Sequence, residues 1–127
     1  MNRSEVENVV EKINNYLSRK HWMDFEVTQY TNYKLLITGS IDPSSTSSEI
    51  KIEFEGVYFA SLLFDWKTNT SDLVVELVEE YKVDEVISKF RIEKGTYIFK
   101  FYAEDYPSDF GCFIGAKSIS CAINSKD

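Results

Sequence analysis

The chain has 127 residues, 43% of them hydrophobic, with 9 Phe and 8 Tyr, which is enough apolar and aromatic material for a packed core and argues against a disordered tail. The formal net charge is −7, and residues 49–109 carry 14 acidic against 7 basic side chains while the flanking residues balance at 7 and 7. Such an acidic excess repels phosphate backbones and anionic lipid, so nucleic acid and membrane surfaces are poor partners; it serves solubility, or complements a basic protein.

The first element is a helix over 4–20. Ser4-Glu5-Val6-Glu7 has capping-box form, with Ser4 as N-cap and Glu7 reaching back. Val6, Val9, Val10, Ile13, Tyr16 and Leu17 recur at helical spacing as one apolar stripe, expected to pack on the protein's own sheet. Arg19, Lys20 and His21 are placed at the helix end, where the dipole favours cations. His21 is the chain's one histidine and reads as part of that terminus, not as a base or ligand.

Aromatic and β-branched residues then dominate, which favours sheet. Asp24–Tyr30 and Tyr33–Ile41 read as two strands joined at Thr31-Asn32, with Asp42-Pro43 and a serine-rich loop ending the second. In Glu49–Trp66, Ile50, Ile52 and Phe54 alternate with charged residues, the period of a strand buried on one face. Beyond Gly56 the polar residues vanish, so Val57–Phe64 reads as a strand covered on both faces. Gly56 itself reads as a tight turn or a bulge, which places the whole stretch mid-sheet. Leu73–Glu79 reads as a further strand and 84–89 as a short helix, with one long helix over the segment as the alternative. Phe90–Glu93 and Thr96–Tyr102 form a hairpin about Lys94-Gly95, and Phe110–Ile114 and Ser118–Ile123 a last hairpin about Gly115-Ala116-Lys117.

These elements predict one α+β domain over 1–127: an antiparallel, strongly twisted or partly closed sheet of about six to eight strands over 24–123, with the N-terminal amphipathic helix packed on it.

Recognisable chemistry is sparse. Asp109-Phe110-Gly111 matches the metal-binding tripeptide of protein kinases, but none of that fold's other motifs accompanies it. Nucleophile-elbow, zinc-protease, phosphate-loop and paired-cysteine motifs are all missing, so no catalytic residue, cofactor or metal ligand is assigned. Cys112 and Cys121 alternate with apolar residues and read as small core side chains. No secretory leader pattern precedes the helix and no apolar run is long enough to span a bilayer, so a cytoplasmic location is expected.

The candidate interaction surface is acidic and aromatic. It comprises Glu76, Glu79, Glu80, Asp84 and Glu85, then Asp105, Tyr106 and Asp109, with Trp66 beside a polar loop as either an exposed anchor or a cap on the core.

A capped helix, the segment FEGVYFASLLFDW (Phe54–Trp66), then RIEKGTYIFKFYAED (Arg91–Asp105) and FIGAKSIS (Phe113–Ser120) together resemble the small acidic immunity proteins of Gram-positive polymorphic toxin systems. The resemblance implies a cytosolic, non-enzymatic inhibitor that binds one basic toxin domain. The alternative is a small-ligand module using the aromatic residues as walls of a curled sheet.

Overall fold

The computed structural model describes residues 1–41, 48–79, 95–104 and 112–124. Its first element is helix α1 (Arg3–Leu17). The capping box sits two residues earlier than expected: the Asn2 side chain accepts the Glu5 backbone N–H, and the Glu5 carboxylate accepts the Asn2 N–H. Both Asn2-x-x-Glu5 and Ser4-x-x-Glu7 satisfy the pattern, and the earlier one adds Arg3, whose guanidinium donates to the Val78 carbonyl. The helix also stops early, with Ser18 as its C-cap, so Arg19, Lys20 and His21 lie beyond it and no basic residue occupies its last turn. The apolar stripe is where periodicity put it: Val6, Val10, Ile13 and Leu17 are buried.

Nine strands follow among the described residues, in two antiparallel sheets. The first sheet has the order β5-β1-β2-β3-β9, from β1 (Trp22–Thr31), β2 (Lys34–Ser40), β3 (Ile50–Glu55), β5 (Asp65–Asn69) and β9 (Ser118–Ile123). The second has the order β4-β8-β7-β6, from β4 (Phe59–Ser61), β6 (Val75–Leu77), β7 (Tyr97–Phe101) and β8 (Phe113–Ala116). The fold is α+β with the helix packed on sheet, as expected, but the strands are divided between two sheets. Their inner faces meet through Phe25, Trp66, Phe54, Phe99 and Phe101, whose rings lie 5.1–6.1 Å apart in stacked and edge-to-face pairs. Helix α1 lies against β6 and β9, one edge strand from each sheet, so its stripe closes that side of the core.

Two connections differ from the expected hairpins. At Gly56 (φ +66°) the chain leaves β3 and enters the other sheet; at Lys117 it crosses back from β8 to β9. Neither is a turn within one sheet. The crossings touch: the Lys117 N–H donates to the Glu55 carbonyl at 2.9 Å, and a Cβ on Gly56 would come within 2.8 Å of the Lys117 stem. Val57–Phe64 is consequently not a covered central strand. Only Phe59–Ser61 is strand, and it forms the outer member of its sheet among the described residues, with Ala60 and Ser61 exposed. The run is apolar because part of it faces the core, at Val57, and part faces outward, at Tyr58 and Phe64. The expected strand over Leu73–Glu79 is present as β6, whereas the expected short helix over 84–89 and the hairpin partner Phe90–Glu93 lie outside the described residues.

Candidate functional site

The acidic and aromatic residues singled out from sequence do not assemble into one surface within the described part of the chain. Trp66 is in the core, 5% exposed, stacked on Phe25 at 5.6 Å and edge-on to Phe101 at 5.5 Å. The exposed-anchor reading therefore fails at Trp66, and the core-cap reading holds. Glu76, on β6 in the other sheet, is half-buried; it stands opposite Lys100 and accepts a 2.9 Å hydrogen bond from the Tyr102 hydroxyl. Burial, that hydrogen bond and the nearby Glu76 charge push the Tyr102 phenol up to about 12. Glu79 is exposed. Glu80, Asp84, Glu85, Asp105, Tyr106 and Asp109 lie outside the described residues.

What the structure brings together instead is an aromatic end where the two sheets part. Three local features build it. The first is a bulge in β1 between Val27 and Gln29, which shifts the register so that Tyr30 stands opposite Leu35 and shares its core-facing side. Beyond the last core layer, that side opens to solvent, and Tyr30 is 55% exposed.

The second feature is the β1–β2 turn. Thr31 pairs with Lys34, so the loop is Asn32-Tyr33, and both residues have positive φ, 53° and 63°. This is the two-residue hairpin geometry that favours Asn-Gly, and a tyrosine there carries a left-handed penalty of roughly 1–2 kcal/mol. The Tyr33 side chain is 62% exposed, with its ring centroid 6.1 Å from that of Tyr58. Core burial does not explain a bulky residue at this position.

The third is the excursion after Gly56. The Val57 N–H donates to the Tyr33 carbonyl, which ties the start of the excursion to the turn, and Tyr58 projects outward at 56% exposure under the Lys117 ammonium. Phe64, at the excursion's far end, is 85% exposed although its carbonyl accepts the Val27 N–H. Between these rings lies an open apolar groove of about 340 Å³, floored by Val27, Leu35, Val57, Leu62 and Leu63. Sequence alone does not reveal this site, because an uninterrupted apolar run such as Val57–Phe64 reads as wholly buried. The available signal was the tyrosine in Thr-Asn-Tyr, where a glycine would be expected.

On the outer face of the same strands is a larger polar recess of about 780 Å³, whose lining includes Asp24, Glu26, Thr38, Lys51, Asp65 and Lys67. Asp24 stands opposite Lys67, but Glu26 stands directly opposite Asp65, a like-charge pair, and neither of those two makes an ion pair among the described residues.

For nucleophilic or metal chemistry the described residues offer little. Burial pushes the Cys112 and Cys121 thiols up, with a Leu63 backbone hydrogen bond and Lys12 respectively pulling back. No group of three His, Cys, Asp or Glu among the described residues is arranged to hold a metal ion. No helix among them is long and apolar enough to cross a membrane. Compared with protein-family models, curated proteins and solved structures, the chain has no match.

Proposed function

We propose that this is a non-enzymatic binding protein that engages a protein partner through its aromatic end. The observation that carries the reading is Tyr33: a bulky residue held in a left-handed turn and displayed to solvent, its ring centroid 6.1 Å from that of Tyr58, which lines the groove with Tyr30 and Phe64. Backbone strain with no packing return is the pattern of a position kept for function. Large, rigid aromatic side chains around an apolar recess are also what the centres of protein interfaces use.

The partner we favour is a basic toxin domain, with this chain as its cytoplasmic immunity protein. The net charge of −7 supports a basic partner, since complementary charge speeds encounter. The experiment is co-expression with the product of the adjacent gene, scoring growth and co-purification. The neighbour should be toxic alone and harmless, and retained, in the presence of this chain. A neighbour that is harmless alone, or that kills equally in its presence, overturns the immunity assignment.

The groove favours a second reading, a small apolar ligand. Its volume of about 340 Å³ falls at the lower end of the ~300–1,000 Å³ span of ligand pockets. One side of it is open, so a free ligand would be only partly enclosed, whereas a side chain carried by a larger partner would be covered by that partner. The protein reading is the better supported of the two.

A further inference from the structure

We infer that the groove takes an apolar side chain from a basic segment of the partner, with a neighbouring Lys or Arg reaching Glu26 and Asp65. This rests on the protein-binding reading above and adds the chemistry of the occupant.

The charges around the groove differ in whether they are already engaged. On the β2 side, Lys34 pairs with Glu55 at 3.6 Å, and the Lys117 ammonium lies 5.6 Å from the Tyr58 ring centroid. On the β1–β5 side, Glu26 faces Asp65 and neither makes an ion pair among the described residues; Lys51 and Lys67 line the same recess, the Lys67 ammonium lying 4.9 Å from the Trp22 ring centroid. Like charges directly across an antiparallel pair are destabilising, and a cation placed between them relieves the repulsion. Among the described residues no ion pair supplies that relief.

The apolar and acidic features are adjacent by construction. Phe64 and Asp65 are consecutive at the start of β5, the outer strand of its sheet, and Val27 follows Glu26 on the strand beside it. Side chains alternate across a strand, so Val27 lines the groove while Glu26 lines the recess behind it. An extended segment crossing the β5 edge advances about 3.3 Å per residue. Neighbouring side chains of such a segment point to opposite faces, so a basic residue next to the apolar one is directed to the side of the carboxylates.

The test is a titration of the isotope-labelled full chain, followed by amide NMR, with three blocked peptides of equal length. In these, leucine is flanked by lysine, by glutamate or by glycine. The lysine peptide should perturb the amides of Val27, Tyr30, Tyr58 and Phe64, bind about tenfold tighter than the glutamate peptide, and lose that margin in Glu26→Gln/Asp65→Asn. High salt should shrink the margin as well. Equal binding of all three peptides, perturbations elsewhere on the chain, or no perturbation at millimolar peptide would overturn the inference. Persistence of the margin in the double variant would do so too. These outcomes are separate from the growth assay: a basic peptide can seat here even if the adjacent gene encodes no toxin, and a genuine rescue with no peptide preference would locate the partner's footprint elsewhere.

Discussion

At the scale of single residues, Tyr33 gives the sharpest test of strain kept for function. Tyr33→Gly removes a left-handed penalty of roughly 1–2 kcal/mol, while glycine's greater freedom in the unfolded chain returns about 0.5–1 kcal/mol of it. Chemical denaturation should therefore show stability unchanged or slightly raised, and a loss beyond about 1 kcal/mol would mean that the ring's contact with Tyr58 is structural. Trp66 should behave in the opposite way. Its indole N–H is buried without an acceptor among the described residues, a defect worth roughly 1–3 kcal/mol. Trp66→Phe sheds that defect along with some packing and should fall within about 1 kcal/mol of wild type, whereas Trp66→Ala should cost about 3–5 kcal/mol. Partner binding by the folded Trp66→Phe variant should be unaltered. Tyr102 adds a pH dependence. Its phenol is raised in the folded state to about 12 from the ordinary 10, so the unfolded chain gives up this proton first. Its share of stability is whole below about pH 10 and declines as the pH rises towards 12. An ultraviolet titration should show one late-ionising tyrosine that Tyr102→Phe removes, and a titration identical in the variant would contradict the assignment.

At the scale of elements, edges and crossings organise the molecule. Among the described residues strand β6 is an outer strand of its sheet, and α1 covers it with side-chain chemistry as well as apolar contact. Asn14 accepts the N–H groups of Val74 and Val75 at 3.2 and 3.1 Å and donates to the Val75 carbonyl at 2.7 Å. A helix amide thus stands where a neighbouring strand would hydrogen-bond. The two sheet crossings depend on Gly56 closing onto Lys117. Gly56→Ala should cost more than Gly95→Ala: both positions have positive φ, but an added Cβ at Gly95 finds only the Lys117 Nζ, at 3.8 Å. Thermal melts of the two variants read the difference directly, and equal losses would mean that the Gly56–Lys117 contact carries no weight. Much of this level was legible in sequence. The apolar stripe of α1 and the alternation in β3 are local patterns, and the folded chain keeps both. Which sheet a strand joins is not local. Glu55-Gly56 looks like a hairpin turn because a glycine at positive φ serves a turn and a crossing equally well, and Gly115-Ala116-Lys117 does so because a short glycine-containing link between two apolar strands reads the same whether they share a sheet or not. The capping box was misplaced for a related reason, since two overlapping segments fit one pattern and Arg3's distant acceptor, Val78, decides between them.

At the scale of the whole molecule, the helix closes one side of the two sheets, and the opposite ends of β1, β2 and β4 gather the large exposed aromatic residues into one place. The acidic character noted from composition is real, but the acids among the described residues differ in use; of Glu76, Glu55, Glu26 and Asp65, only Glu76 belongs to the set singled out from sequence. Glu76 serves Tyr102, Glu55 serves Lys34, and Glu26 and Asp65 are left facing each other. Net charge alone could not distinguish them, because that distinction depends on cross-strand register. The central claim is that the aromatic end is the binding surface, and Phe64 tests it most directly because the ring is 85% exposed and contributes little to the core. The measurement is retention of the adjacent-gene product by purified Phe64→Ser protein, compared with wild type, after circular dichroism and melting show the variant folded. We predict stability within about 0.5 kcal/mol of wild type and at least a tenfold loss of retention, the consequence of removing a central aromatic anchor. Full retention by the folded variant would contradict the account.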